Sequence, residues 1–564
     1  MGILGLNFDV GEEHWKIIPA TPSKTTSSDL LEPFAPLPPL SLPRARYLPV
    51  DAPLVLDERI GSWRNINVLK DDCTTSRAGS FSCSLPELQQ ELRAKIIAAE
   101  ASSRAQMSTK VPREFRERPE DEADDVLFDS LYGLRTIQLN RPKKLNSLNA
   151  SMIRKILPRL VEWEKSDLAN VVVMKGSGEK AFCAGGDVAQ LAKYNQESED
   201  GWKKSADYFA LEYKLDHYIA TYGKPYIAFM DGITMGGGVG LSIHAPFRIA
   251  TERTVFAMPE TTIGFFPDVG ASFFLPRMAG SVGTYLALTS ERLKGANVFY
   301  SGVATHYLHS TSLPQLESRL AEIRFRDYDS QEKRLQIINQ TLEEYVTGLP
   351  HDEPIQLGGD VRKAIDRCFS KSNIADIVTA LKGESGATKK WADKTLDTLH
   401  KRSPTAVNVA LRQMRIGGGW SIAETFQREH QIATKFMQHP DFTEGVTALL
   451  VRKEEPKWQP AKLKDITPEM KVADPFFKTS GETLELLNDR DYKEYPYPYF
   501  ALPTEDEVRN VVLQGQYTPK EVVKKVVEAR NSRQGVEEVV KDIVDRKVVV
   551  KQGGRAAWRE AYKQ

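Results

Sequence analysis

The stretch MGGGVGLS, Met235 to Ser242, places four glycines within eight residues. A P-loop needs a Lys-Ser or Lys-Thr pair after its glycines, and a dinucleotide fingerprint needs a glycine where Leu241 stands, so both nucleotide cradles are disfavoured. The preceding PYIAFM, Pro225 to Met230, is typical of a strand, which places a helix start near Gly237. Free N–H groups at that start can hold an anion, such as the oxyanion formed when a thioester carbonyl is attacked. A tight turn against a neighbouring helix is the alternative.

A second glycine-bearing turn has the same layout. KAFCAGGDVAQL, Lys180 to Leu191, follows the apolar β-branched run NVVVMK, Asn170 to Lys175, which is typical of a buried strand. A helix is expected to begin around Asp187. Two strand–turn–helix units of this kind can direct two backbone N–H donors at one oxygen, which is the geometry of an oxyanion hole.

Strands and helices alternate through the middle of the chain, which predicts an α/β core. LRTIQL, Leu134 to Leu139, is expected to be a strand, and YFALEYKLDHYIATY, Tyr208 to Tyr222, a helix. SMIRKILPRLVEWEK, 151–165, also has helical spacing. We expect Ser151 to be its N-cap and Pro158 to kink it.

The C-terminal half is expected to be helical from about Ser312 to Lys457. Asp491 to Val512 opens with an aromatic-proline stretch and then contains a helix start, Thr504 with Glu507 at capping-box spacing. The last segment, 520–564, holds twelve Lys or Arg against seven Asp or Glu and is also predicted to be helical. Its composition is compatible with a plain surface helix and with a partner-binding tail.

The overall composition excludes several classes of protein. Lys plus Arg and Asp plus Glu both number 76, so no overall field attracts nucleic acid or an anionic membrane, and any basic partner surface must be local. The four cysteines are scattered and form no CxxC pair, which disfavours a disulfide framework or a thiolate zinc site and fits a reducing compartment. No apolar run reaches the roughly 18–20 residues needed to span a bilayer.

The N-terminal part is predicted to be an extension. Pro33 to Pro53 contains seven prolines, which favours extended chain, and REFRERPEDEADD, 113–125, is expected to be a solvated linker. The first residues carry acids early and lack the pattern of a transit peptide. LRAKIIAAEASSRAQMSTK, Leu92 to Lys110, is a second candidate targeting segment and is equally compatible with a surface helix. A start of translation further along the chain is a third interpretation.

Several motifs resemble the crotonase (enoyl-CoA hydratase/isomerase) superfamily over about Asn140 to Trp458. They are NRPKKLNSLN, KAFCAGGDV, DGITMGGGVGLSIHAPFRIAT, FAMPETTIGFFPDVGASFFLPR and HPDFTEGVTALL. The resemblance implies an α/β core, a spiral of strand–strand–helix units, followed by a helical region. It also implies that Gly186 and Gly237 supply the oxyanion N–H groups and that the backbone around Lys143 to Leu145 cradles the adenine end of coenzyme A. No separate cofactor is expected, because coenzyme A is part of the substrate.

The carboxylates distinguish two activities within this superfamily. Its hydratases use two glutamates, and here the first of those positions is Gly240 while the second is Glu260, so hydration is disfavoured. The pattern resembles the 3-hydroxyisobutyryl-CoA hydrolase branch instead. That resemblance implies that Glu260 is the nucleophile or general base, that Asp268 binds the substrate hydroxyl and handles protons, and that Glu212 and Gly240 line the substrate pocket. Clustered carboxylates are expected to raise one another's pKa.

Other reactive side chains are expected to be structural. Cys183 is expected to pack beside its turn, because a reactive thiolate needs a basic neighbour. His244, His306 and His309 are expected to be structural, and no metal site is expected, because no carboxylate or third histidine at helical spacing completes a ligand set.

These observations predict four segments. They are a Pro-rich and charged N-terminal extension (1–125), a catalytic core (126–312), a helical part of the enzyme region (313–460) and a C-terminal extension that is a candidate ribosome-docking segment (461–564). The last segment, with its YPYPYFALPTEDEV, resembles the C-terminal extension of the fungal mitochondrial form, which is also a component of the small subunit of the mitochondrial ribosome.

Two hypotheses of different class follow. In the first, the protein is a mitochondrial matrix enzyme that hydrolyses 3-hydroxyisobutyryl-CoA in valine breakdown and also joins the ribosome. Its partners would then be small-subunit ribosomal proteins, with ribosomal RNA as a further candidate and no membrane. In the second, it is a purely structural ribosomal protein that retains the enzyme fold. Another acyl-CoA enzyme of the crotonase type is the remaining alternative.

Overall fold

The computed structural model describes residues 112–559 except positions 352 and 480, and these residues belong to one compact unit. The proline-rich stretch 33–53 and the candidate targeting stretch 92–110 lie outside the described residues. Among the residues it does describe, no helix is long and apolar enough to cross a membrane.

Two mixed sheets form the centre of the fold. The strands are β1 (Val126–Leu131), β2 (Leu134–Leu139), β3 (Val171–Gly176), β4 (Ala181–Cys183), β5 (Tyr226–Met230), β6 (Ile233–Met235), β7 (Phe247–Ala250), β8 (Val255–Ala257), β9 (Leu293–Lys294), β10 (His306–Tyr307), β11 (Val548–Val550) and β12 (Ala556–Trp558). The larger sheet has the order β1-β2-β3-β5-β7-β10 and the smaller sheet β4-β6-β8-β9, while β11 and β12 form a separate hairpin.

The helices follow or surround these strands. They are α1 (Ala150–Lys165), α2 (Val188–Glu197), α3 (Gly201–Ala220), α4 (Gly237–Ile243), α5 (Ala271–Phe274), α6 (Val282–Thr289), α7 (Ala296–Tyr300), α8 (Leu313–Ala321), α9 (Gln331–Glu343), α10 (Gly359–Phe369), α11 (Ile374–Lys382), α12 (Lys389–Lys401), α13 (Pro404–Ile416), α14 (Ile422–Gln438), α15 (Pro440–Val446), α16 (Asp474–Phe477), α17 (Glu505–Leu513), α18 (Pro519–Ala529) and α19 (Val536–Lys547).

The strands are arranged as a spiral of repeated units. In each of the consecutive pairs β3–β4, β5–β6 and β7–β8, the first strand joins the larger sheet and the second joins the smaller one. Within each sheet these strands run parallel to their neighbours from the other units. The predicted α/β spiral, followed by a helical region, is therefore confirmed, as are the strands expected in LRTIQL, NVVVMK and PYIAFM.

Alternate residues of the larger sheet belong to two different cores, as the two faces of a strand require. Val173 on β3 and Phe229 on β5 pack in a cluster covered by α8 and α9. Val172 and Met174 face the larger core that contains α1, α3 and α14. The sheet is thus buried on both sides, which fits its apolar β-branched strands.

The expected start of α1 is wrong. Asn149, not Ser151, is the N-cap, and its side-chain oxygen accepts a hydrogen bond from Met152 N at 2.8 Å. Ser151 lies in the first turn of the helix, which continues through Pro158. Asn149 and Ser151 are both cap-type residues and give the same sequence signal, and the extended backbone at Asn149 decides between them.

The charged run 113–125 is not the free linker that its composition predicts. Phe115 is completely buried, and Asp125 forms a 2.6 Å ion pair with Lys155 on α1. The run is anchored because α1 carries cations on the side that faces it.

The last segment is helical only in part. Thr504 caps α17 as predicted, by accepting from Glu507 N at 3.2 Å, and α18 and α19 follow. Beyond Lys547 the helical prediction is wrong, because β11 and β12 pair antiparallel. Three consecutive valines favour a strand, and Gly553 and Gly554, both with positive φ, form the turn.

Residues after 460 pack against the spiral core. Phe500 is 3 % exposed and its ring centroid lies 4.5 Å from that of Phe247 on β7. The Tyr495 hydroxyl donates to the Ala245 carbonyl oxygen at 2.6 Å. The residues after 460, called the C-terminal residues below, are therefore held in a fixed position against the core.

We expect Phe500→Ala to lower the free energy of unfolding by about 3 kcal/mol, because it leaves a cavity against Phe247. Tyr328→Ala is the matched control, since that ring is 77 % exposed and its loss should change the free energy by less than about 0.5 kcal/mol. Urea unfolding followed by tryptophan fluorescence measures both. Equal urea midpoints for the two variants would contradict the packing of the C-terminal residues against the core.

Candidate functional site

Two glycine turns lie side by side at one edge of the smaller sheet. Strands β4 and β6 are parallel neighbours, and each ends in a glycine turn that leads into a helix. A Cβ built on Gly237 would lie 3.5 Å from the backbone nitrogen of Gly186. The two glycines predicted to form the oxyanion hole are thus brought together.

The N–H groups of these glycines are free to bind a ligand. Gly237 is the first residue of α4, so its N–H has no partner within the helix. Neither Gly186 nor Gly237 donates a backbone hydrogen bond to another residue in the described part of the chain. Gly185 and Gly236 have φ of +109° and +45°, values that residues other than glycine rarely adopt. Leu148 N holds the first turn by donating a hydrogen bond to Gly185 O at 2.8 Å. The arrangement supplies two free N–H donors from neighbouring turns.

Two of the predicted carboxyl groups border these turns. Glu212 lies on α3, and a Cβ on Gly237 would overlap its Oε1. Glu260 follows β8 at the start of a 3-10 turn, and its Oε1 lies 3.3 Å from a Cβ built on Gly236. Both carboxyl groups are therefore next to the free N–H groups.

Asp268 is held in the same region by contacts from two helices. Its Oδ2 accepts a hydrogen bond from the Tyr213 hydroxyl on α3 at 2.7 Å. The loop that carries it is fixed by Glu429 on α14, which accepts from Gly270 N at 2.7 Å and Ser272 N at 2.8 Å. Glu429 was not identified from the sequence. It lies 159 positions from Gly270, and nothing in its local sequence signals the contact.

Burial dominates the electrostatics of the site. Glu212, Glu260 and Asp268 are only 2 %, 4 % and 4 % exposed. Burial raises the pKa of Asp268 to about 7, although the hydrogen bond from Tyr213 acts in the opposite direction. Burial, and then the charge of Asp268, raise the pKa of Glu212 and of Glu260 well above the usual range. The charge of Asp268 thus raises the pKa of its carboxyl neighbours, and protons are available in the site near neutral pH.

Asp216 is a fourth carboxyl group that sequence reasoning missed. It lies one turn after Glu212 on α3, is completely buried, and neither oxygen has a hydrogen-bond partner among the described residues. A Cβ on Gly240 would overlap its Oδ2, so the absence of a side chain at position 240 makes room for Asp216. Burial, followed by the charge of Glu212, raises its pKa well above the usual range. An acid at i+4 on an otherwise apolar helix face was the signal that could have revealed it.

The residues predicted to cradle coenzyme A lie beside the first glycine turn. Lys143 belongs to the 3-10 turn Pro142–Lys144 and has an exposed side chain. The Leu145 carbonyl accepts from Ala184 N at 3.0 Å, directly before the glycines. Their role in binding coenzyme A stays a prediction.

The remaining candidate side chains are buried or have partners elsewhere in the structure. Cys183 is buried and burial raises its pKa to about 12, so it stays a thiol. His306 lies 3.3 Å from Glu343 and His309 3.8 Å from Glu252, while His244 Nε2 bonds the Val269 carbonyl at 3.0 Å. Within residues 112–559, apart from 352 and 480, no group of three or more His, Cys, Asp or Glu is arranged to hold a metal ion.

Comparison with known proteins gives consistent matches. The model of the enoyl-CoA hydratase/isomerase family matches residues 134–477. The chain is 57% identical over 488 residues to small ribosomal subunit protein mS47 of Neurospora crassa, covering 85% of this chain and 96% of that protein. It is 42% identical over 362 residues to the mitochondrial 3-hydroxyisobutyryl-CoA hydrolase of Gallus gallus, covering 64% and 90%. The crystal structure of a carnitinyl-CoA dehydratase from Mycobacterium thermoresistibile matches with a TM-score of 0.57 and 31% identity, covering 65% and 100%.

The raised pKa of Asp268 predicts a pH-dependent loss of stability. In the unfolded chain an aspartate releases its proton near pH 4, whereas folded Asp268 keeps it up to about pH 7. The folded state therefore binds the extra proton, and stability falls as pH rises through this window. Between pH 5 and 8 we expect wild type to lose about 3 kcal/mol more than Asp268→Asn, which cannot ionise.

Urea unfolding at several pH values measures this difference. Glu120→Gln, at an exposed carboxylate, is the control and should follow wild type across the range. An Asp268→Asn curve parallel to wild type would show that Asp268 carries no such proton.

Proposed function

The chain belongs to the enoyl-CoA hydratase/isomerase family, in the branch of the 3-hydroxyisobutyryl-CoA hydrolases, and on that premise we propose that it hydrolyses 3-hydroxyisobutyryl-CoA. The products are 3-hydroxyisobutyrate and coenzyme A, as in valine breakdown. The observation that carries this proposal is the pair of free N–H groups at Gly186 and Gly237 beside the Glu260 carboxyl group, with no carboxyl group on residue 240.

The two N–H groups stabilise the oxygen of the thioester carbonyl. When that carbonyl is attacked, negative charge develops on its oxygen, and two fixed donors in a dry site meet it without reorganisation. Removing one such donor typically costs about 3–4 kcal/mol of transition-state stabilisation. The neighbouring helix start at Gly237 adds the positive end of its dipole.

The carboxyl groups supply the nucleophile or base and manage protons. In its ionised form, Glu260 either takes a proton from the attacking water or attacks the carbonyl carbon itself. In the second route the mixed anhydride that forms on Glu260 is hydrolysed by water after the thiolate has left. In both routes the carbon–sulfur bond breaks, and the leaving thiolate of coenzyme A accepts a proton from the protonated carboxyl groups of the site. Asp268, whose pKa of about 7 makes both of its forms available, binds the substrate hydroxyl and relays that proton. Glu212 lines the pocket.

Glu260→Gln should lower kcat for release of free thiol from 3-hydroxyisobutyryl-CoA by at least about 100-fold, with an unchanged melting temperature. Glu252→Gln is the matched control, because that glutamate pairs with His309 on the surface, and its kcat should equal wild type. The assay uses the purified full chain with a thiol-reactive dye.

Three results would overturn the assignment. The first is the absence of thiol release by wild type, and the second is equal rates for wild type and Glu260→Gln. The third is faster hydration of crotonyl-CoA than thioester cleavage, since Asp216 would then act as the second acid that position 240 lacks.

We also propose that the protein is a component of the small subunit of the mitochondrial ribosome, in the matrix. The similarity to mS47 extends over 488 residues, whereas the similarity to the hydrolase covers 362. The chain therefore shares sequence with a ribosomal protein beyond the enzyme region. Lys520, Lys524 and Lys525 are exposed on α18 and form what we call its basic strip. They outnumber the two exposed glutamates of this helix, Glu521 and Glu528, and suit a ribosomal partner, protein or RNA.

Sedimentation of mitochondrial lysate tests this second role. Wild type should migrate with the small subunit, and reversal of the strip by Lys520→Glu and Lys524→Glu should shift most of the protein to the top of the gradient. Lys389→Glu with Lys390→Glu, at two exposed lysines of α12, is the charge-matched control and should migrate like wild type. Wild type found entirely at the top of the gradient would contradict the proposal.

A further inference from the structure

A cavity of about 280 Å³ lies between the spiral core and the C-terminal residues. On the core side it is lined by His244 and Arg248, and on the other side by Tyr495 and Leu502. His244 directly follows the last residue of α4, whereas Gly237 begins that helix. The cavity is therefore separate from the proposed thioester site.

Most charged groups of the cavity wall form a balanced network with their neighbours. In it three cations meet three carboxylates at N···O separations of 2.7 to 3.5 Å. The cations are Arg362, Arg546 and Lys547, and the carboxylates are Glu505, Asp366 and Asp542. This network leaves no net charge to attract a ligand.

Arg248 lines the same cavity and has no counter-ion. It is 4 % exposed, and its guanidinium donates to the carbonyls of Val303 and Ala245 and to the Tyr495 hydroxyl. No carboxylate of the described residues lies within ion-pair distance. These neutral acceptors carry only partial charges, so the positive charge is buried with hydrogen bonds but without a counter-ion, which is costly.

Arg277 is a second cation of the wall without an ion pair; it is half-buried, and Glu494, which is not part of the wall, acts on its charge from further away. It donates to the carbonyls of Phe273, Trp420 and Lys493, and its guanidinium lies 3.7 Å from the centroid of the Phe273 ring. Again no carboxylate of the described part of the chain is within ion-pair distance. His244 does not add to this charge, because burial lowers its pKa to about 4 and it is neutral. The cavity therefore carries two positive charges that nothing in its wall balances.

The rest of the wall is largely apolar. Its side chains include Met278, Val282, Leu357, Leu502, Val539 and Ile543. Met278 is partly exposed, so this side of the wall reaches solvent. A volume of about 280 Å³ suits a ligand smaller than a drug-sized molecule. The wall therefore selects a small anion that has an apolar body.

We propose that this cavity binds a medium-chain monocarboxylate, with the carboxylate at Arg248 and Arg277 and the chain along the apolar wall. The two arginines belong to the core, while Leu502, Val539 and Ile543 belong to the C-terminal residues. A bound carboxylate consequently bridges the core and the C-terminal residues, and its binding stabilises the packing of the C-terminal residues against the core.

Calorimetric titration of the full-length protein with octanoate tests the site. Octanoate should bind with one-to-one stoichiometry and slow hydrogen exchange in residues 493–505 and 536–547. Octanol, which has the same chain without the charge, should do neither at equal concentration. Arg277→Gln should weaken octanoate binding at least ten-fold, whereas Arg277→Lys, which keeps the charge, should weaken it less.

A second variant tests the apolar half of the cavity. Val539→Phe should fill the space and abolish octanoate binding, and its melting temperature reports whether it folds. The proposal is overturned if octanol binds as well as octanoate, or if folded Arg277→Gln binds octanoate like wild type. It is equally overturned if exchange is slowed around residues 185–186 and 236–268 instead, since octanoate would then occupy the thioester site.

Discussion

Carboxyl groups on α3 lie directly against glycines on α4, and the candidate site depends on this contact. Glu212 occupies the space that a side chain at Gly237 would need, and Asp216 occupies the space at Gly240. The pairs follow the same order along both helices, one turn apart. Because α4 has no Cβ at these positions, the two helices approach closely enough to put free N–H groups and acids in one small volume.

This close approach explains the chemistry of the site and its cost. It excludes water from the carboxyl groups, and exclusion of water is the largest cause of their raised pKa values. A protonated acid beside two free donors suits cleavage of a thioester, in which an oxyanion forms and a thiolate leaves. The same buried acids lower stability as pH rises, and the packing of the apolar core around them offsets this cost.

The sequence was informative where the signal is local. The strand runs and both glycine turns follow from residues adjacent in the chain, and the structure brings the predicted Glu260 and Asp268 to the same place. It was less informative where a contact spans long distances, as for Glu429, or where charges that look solvated find partners on α1. Asp216 lies between these cases. Its position on an apolar helix face was visible in the sequence, but its place in the site follows only from its contact with Gly240.

The most direct test of the central claim is the infrared stretch of a ¹³C-labelled thioester carbonyl bound to the Glu260→Gln variant, which we expect to turn the substrate over slowly enough for the measurement. Two fixed N–H donors polarise the carbonyl, so the account predicts a stretch at clearly lower frequency than for the same thioester in water. A bound carbonyl that absorbs at the frequency found in water would contradict the oxyanion hole formed by Gly186 and Gly237.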